Sequence, residues 1–201
     1  MALSPYAAAF GLQHKDEPFH REVAAAFDLP GLQARGTRRA WATDTLLDLN
    51  GVARTVATGA SKARARGHEV TVVTSLPAAP RVEFDLETFP PIWERAVPGY
   101  PELALRLPPV AELVEYLERE RIGEIVISTP GPVGLAALAG AKLLGLPSVG
   151  IHHTDFPRYV TAMGGGEKLT AFARTYLAWF YGRLDRILVS SAACRRDLRD
   201  Y

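Results

Sequence analysis

Residues 124–160 read EIVISTPGPVGLAALAGAKLLGLPSVGIHHTDFPRYV, and this stretch decides the fold. Residues 124–128 are a short run rich in Ile and Val, the pattern of a buried strand. Pro132 suits the first turn of a helix, where its missing N–H would be unpaired anyway. The predicted helix covers 132–144 and stops at Gly145 and Pro147. Residues 148–153 then form a second strand. Strand, helix and strand in this order are a βαβ unit, and such units build parallel sheets covered by helices on both faces.

The alternation continues on either side. Residues 168–184 read as an aromatic-rich helix and 186–190 as a strand, with Ser191 suited to cap a last helix. Upstream, 51–66 is a helix with Val52, Val56, Ala60 and Ala63 on one face. Lys62, Arg64 and Arg66 suit the negative end of its dipole, and Gly67 suits the position after it. Strands are predicted at 39–43 and 69–75, the first weakly, because alanine has low strand preference. Residues 110–121 form another helix. The proline-rich stretch 76–109 reads as a long excursion with one short strand at 82–86. Residues 1–37 read as an N-terminal extension or linker, with helical pieces suggested by Ala7–Ala9 and Ala24–Ala26. The expectation is one α/β Rossmann-like domain over 38–201, a parallel sheet flanked by helices, incomplete at its C-terminus because the chain stops inside a predicted helix.

The chain has 201 residues and a formal net charge of +1, which gives no electrostatic reason to expect a nucleic-acid partner. Its single cysteine, Cys194, excludes an intrachain disulfide framework and a multi-thiolate zinc site, and fits a reducing cytosol. No basic segment followed by an apolar run opens the chain, so no signal peptide is expected. The most apolar long stretch, 133–151, contains Lys142, Pro147 and four glycines and reads as a buried helix, turn and strand rather than a membrane span.

In open parallel sheets, ligands bind beyond the carboxyl ends of the strands. Three strand ends carry unusual residues. Thr43-Asp44-Thr45 is followed by Asn50-Gly51, where a helix start could face a phosphate; an Asn-Gly turn explains the pair equally well. Ser128-Thr129-Pro130-Gly131-Pro132-Val133-Gly134 places small residues at a strand-to-helix junction, for ligand approach or for tight packing. His152-His153-Thr154-Asp155 puts adjacent histidines on opposite sheet faces, so that one could pack under a helix while the other, with Asp155, enters the cleft; histidines satisfied by backbone hydrogen bonds explain the pair equally well. No i,i+4 histidine pair supports a metal site. Nucleotide fingerprints of the G-x-G-x-x-G and P-loop kinds, D-x-D, and G-x-S-x-G are all absent, which weighs against an oxidoreductase, a P-loop enzyme and a serine hydrolase. Phe172, Tyr176, Trp179, Phe180 and Tyr181 read as core, with a lipid-facing surface as the other reading.

In this order the segments ATDTLLDLNGVARTV, GHEVTVVTS, 124–160 and WFYGRLDRILVSSAACRRDL resemble the N-terminal domain of family-4 retaining glycosyltransferases. The likeness covers roughly 38–200 and is looser in the proline-rich part. It is nearest to the branch with a strand-end Y-H-T-D-F-P sequence, in which His152 stands here for the tyrosine. That branch includes mannosyltransferases and sulfoquinovosyl-lipid synthases. The resemblance implies half of a GT-B architecture, in which this domain shapes the acceptor side and a C-terminal domain holds a nucleotide-sugar donor. It implies transfer with retention to a lipid or sugar acceptor, without a metal or other cofactor, and a chain inactive on its own. His153 would stabilise the transition state near the reacting carbon. Asn50 and Gly51 would approach donor phosphates and acceptor, with Arg54 reaching an anionic group. Gly131 and Pro132 would line the acceptor cleft, with Thr154 and Asp155 in substrate contact. A cytoplasmic protein, with peripheral contact at the inner face of the membrane, is the matching expectation. A catalytically silent Rossmann-like module, binding a sugar, lipid head group or partner protein, is the alternative.

Overall fold

The computed structural model describes residues 17–28, 36–48, 50–97, 100–153 and 166–199. In chain order they form α1 (Glu17–Ala26), β1 (Arg39–Ala42), α2 (Gly51–Ala65), β2 (Val70–Thr74), β3 (Asp85–Thr88), β4 (Trp93–Val97) and β5 (Tyr100–Leu107). There follow α3 (Val110–Arg119), β6 (Glu124–Ile127), α4 (Pro132–Leu144), β7 (Ser148–His152), α5 (Glu167–Tyr181), β8 (Arg186–Val189) and α6 (Ala192–Arg199).

Six strands make one parallel sheet in the order β3-β2-β1-β6-β7-β8, the α/β Rossmann-like architecture expected from the alternation. β1 lies inside the sheet, with Arg39 opposite both Val70 and Glu124. Side chains alternate across it. Ala40 and Ala42 face a core with Ile125, Ile127 and the apolar sides of α3, α4 and α5. Trp41 and Val72 face a smaller core with Val56 and Ala60 of α2. At the other end of the strands, Glu124 pairs with Arg39 of β1 at 2.7 Å and with Arg186 of β8.

The helix ends follow their sequence signals. Gly67 and Gly145 have φ of 73° and 64°, the left-handed region where glycine avoids a Cβ penalty. Ser191 accepts the Cys194 amide at 3.1 Å, as a cap of α6. The stretch 76–109 departs from expectation. The strand expected at 82–86 lies later, at β3, and the described residues of the stretch hold two more. β3 pairs with β2 from Thr71–Asp85 to Thr74–Thr88, and β4 and β5 form a separate antiparallel hairpin. Pairing overrides local preference here: DLET and WERAV lack a strong strand signal, but their backbone groups bond to a neighbour already in place.

The aromatic helix also divides. Leu177, Phe180 and Tyr181 are buried, as the core reading expects, whereas Phe172 and Trp179 are 67% and 44% exposed. The helix packs on the sheet along one side, and residues 169, 172, 176 and 179 fall on the flank beside it. Among the described residues, no helix is long and apolar enough to cross a membrane.

Candidate functional site at the carboxyl edge of the sheet

From β1 the chain crosses through α2 to β2, on one side of β1. From β6 it crosses through α4 to β7, on the other side. The strand order therefore reverses between β1 and β6, and the crevice of such a sheet opens there. Thr43, Asp44, Ser128 and Thr129 occupy that point, and His153 follows the neighbouring β7.

Asp44 organises the junction. Its carboxylate accepts the Thr129 hydroxyl at 2.6 Å, the Val133 amide at 2.7 Å and the Gly134 amide at 3.3 Å. Its own amide donates back to Thr129 Oγ1 at 2.7 Å. Burial pushes its carboxyl up from 3.8 to about 6, against the opposing pull of these bonds. The start of α4 is thus capped by the chain itself. A Cβ on Gly131 would lie 2.5 Å from Asp44 Cγ, and one on Gly134 would lie 1.9 Å from the Thr129 carbonyl oxygen. Close packing accounts for both glycines. Gly131 and Pro132, expected along an acceptor cleft, stand at the first turn of α4, with Gly131 against Asp44.

The two histidines separate as strand alternation requires. His152 is buried with its ring edge-on to Tyr181 of α5, centroids 5.3 Å apart. His153 is half-buried, with Nε2 3.3 Å from Ser128 Oγ. Burial, then the neighbouring His152, holds its imidazole below the ordinary 6.5 and so favours the neutral form. Ser128 Oγ also accepts the indole N–H of Trp41 at 2.7 Å. Tyr176 of α5 donates its hydroxyl to the Pro130 carbonyl. Burial and the Asp44 charge push its phenol up to about 12, so it stays a donor.

Asn50 and Gly51 are at the start of α2. Asn50 Oδ1 accepts the Ala53 amide at 2.8 Å and caps the helix. The Gly51 and Val52 amides have no acceptor within the helix. An open pocket of about 530 Å³ lies against Asn50 and Gly51, lined also by Leu46, Asp48, Ala53 and Arg54. A Cβ on Gly51 would meet nothing within 4 Å, so the fold does not require glycine there. Burial raises the Asp48 carboxyl, against the opposing pull of Arg106, so the pocket wall carries a carboxyl beside the Arg54 guanidinium. Thr154 and Asp155 lie outside the described residues.

Trp41 is a residue that pattern reading did not single out, and Asp44, Ser128 and Tyr176 stood in the quoted motifs without a role at the site. Each matters through a partner on another element. The one local signal is the acid at the end of β1 combined with small residues at the end of β6.

The model of Glycosyltransferase Family 4 matches residues 49–201, about three quarters of the chain, and the chain belongs to this family. Asn50, Gly51, Arg54, Ser128 and His153 fall within the match; Trp41 and Asp44 precede it. Comparison with curated proteins gives no match.

Proposed function

We propose that this family-4 member forms the acceptor-side half of a retaining glycosyltransferase with GT-B architecture. A nucleotide-sugar donor is held mainly by a second domain, and the sugar passes to a lipid or sugar acceptor. The observation that carries the reading is His153, a half-buried neutral imidazole at the carboxyl edge beside the switch point. A neutral ring there can hydrogen-bond a sugar oxygen without desolvating a full charge. The unpaired amides at the start of α2 and the Arg54 guanidinium are suited to negative charge on the donor. The resemblance points to chemistry without a metal, so leaving-group charge would fall to such amides and to basic groups of the donor domain.

The flank of α5 that carries Phe172 and Trp179 suits a peripheral membrane contact. Phe172, Tyr176 and Trp179 stack at centroid spacings of 6.4 and 6.1 Å, and the Arg183 guanidinium lies 4.6 Å from the Trp179 ring. Aromatic rings with cationic tips suit the boundary between lipid head groups and acyl chains.

The test is a ligand-observed NMR screen of nucleotide sugars and sugar or lipid-head-group acceptors. Product anomers are then assigned for any pair that turns over when the donor domain is present. Product of unchanged anomeric configuration is the expected result. Inverted product overturns retention, and acceptor binding with no transfer under any pairing favours a silent binding module.

A further inference from the structure

Trp41, Ser128 and His153 come from three neighbouring strands and meet on one face of the sheet. Trp41 is opposite Val126 in the β1–β6 ladder, and Val126 is opposite Val149 in the β6–β7 ladder. Side chains repeat on one face every second residue, so Ser128 and His153 fall on the Trp41 face just beyond their strands. The side chains connect in that order, Trp41 Nε1 to Ser128 Oγ at 2.7 Å and Ser128 Oγ to His153 Nε2 at 3.3 Å. The indole is seated by α2: a Cβ on Gly59 would lie 2.6 Å from its Cη2.

The hydrogens can be assigned by elimination. An indole N–H only donates, so Ser128 Oγ accepts from Trp41. The serine's own hydrogen must go elsewhere, and Ser128 is 3% exposed, which removes bulk water as the acceptor. If His153 donated from Nε2, the serine hydrogen would be buried without this acceptor, an arrangement that folded proteins avoid. We infer that Ser128, fixed by Trp41, donates to His153 Nε2 and holds this histidine in the tautomer with its hydrogen on Nδ1. Ser128 and Trp41 are then positioning residues. His153 has one ring donor, Nδ1–H, and its one basic nitrogen is occupied by Ser128. Within the transferase reading, on which this last step rests, His153 acts toward substrate as a hydrogen-bond donor and not as a proton acceptor.

The assignment is tested without substrate. Protein labelled with 15N-histidine is recorded by long-range 1H–15N correlation at pH 8, with His153→Gln to identify the resonance. The expected spectrum shows His153 protonated on Nδ1, the tautomer that free imidazole side chains disfavour. Ser128→Ala is expected to return it to Nε2–H. Trp41→Phe keeps an aromatic ring on Gly59 and is expected to lower the Nδ1–H share. Wild-type protein with Nε2–H, or Ser128→Ala still locked in Nδ1–H, overturns the inference. The wild-type spectrum decides even where the alanine variant fails to fold. Because no sugar takes part, failure of the transferase reading leaves this result standing, and the converse holds.

Discussion

The carboxylate of Asp44 caps a helix that begins far along the chain: its Oδ1 takes the amide of Val133, 89 residues away, at 2.7 Å. Three further hydrogen bonds between Asp44 and the Thr129–Gly134 segment complete the clasp between the ends of β1 and β6. The two halves of the sheet are joined at the position where the crevice opens.

Asp44 should leave a signature in the pH dependence of stability. Its folded pKa, about 6, is above the unfolded 3.8, so the native state binds the proton more tightly. Its contribution is therefore complete below about pH 4 and is lost as pH rises through 6. Asp44→Asn removes that titration. Chemical denaturation between pH 4 and 7 should show wild type losing stability relative to Asp44→Asn as pH rises. Parallel profiles would exclude the shift.

Gly134→Ala should be among the costlier single-methyl changes in the domain. The new Cβ would lie 1.9 Å from the Thr129 carbonyl oxygen, a backbone atom that cannot swing aside. A loss of about 1–3 kcal/mol or more is expected, read as a lowered urea midpoint at unchanged m.

Gly51→Val separates fold from function. No atom lies within 4 Å of its added Cβ, so the melting temperature should stay within a few degrees of wild type. If ligand approaches the start of α2, the branched side chain blocks it, and donor or acceptor affinity falls in calorimetric titration. Unchanged affinity would remove Gly51 from the site.

His153→Ala should lower turnover by about two to three orders of magnitude while the far-UV spectrum and melting curve are kept. Because burial holds the wild-type imidazole below 6.5, the acidic limb of kcat should fall below that pH if the neutral form is the active one. An acidic limb above 6.5 would assign the titration to another group.

Phe172→Ala with Trp179→Ala should leave the domain folded at a cost of about 1–2 kcal/mol, since Phe172 is mostly exposed and Trp179 is outside the buried core but packs on Tyr176 and Arg183. Co-sedimentation with anionic vesicles should fall in the same variant. Equal sedimentation would take α5 out of any lipid contact.

Much of this was legible in residue order. Pro132 and Gly145 mark the helix 132–144 at the bounds observed, and the paired histidines divide between core and edge as strand alternation requires. The strand expected at 82–86 lies, shifted, at Asp85–Thr88, whereas Trp93–Val97 and Tyr100–Leu107 were not legible as strands, because prolines and charges hide segments that pairing with each other makes regular. The role of Asp44 was hidden for a related reason: an acid after a strand looks like a turn residue until the segment 85–90 positions later is folded against it.

The inner place of β1 has a consequence for synthesis. Its first neighbour, β2, leaves the ribosome soon after it, but its second, β6, lies 85 residues downstream. At about 5–20 residues per second the nascent chain spends on the order of 4–17 seconds with one edge of β1 unpaired and Asp44 without its amide partners. A chaperone that shields a bare strand edge would have its longest task on this protein in that interval, and a translational pause before β6 would lengthen it.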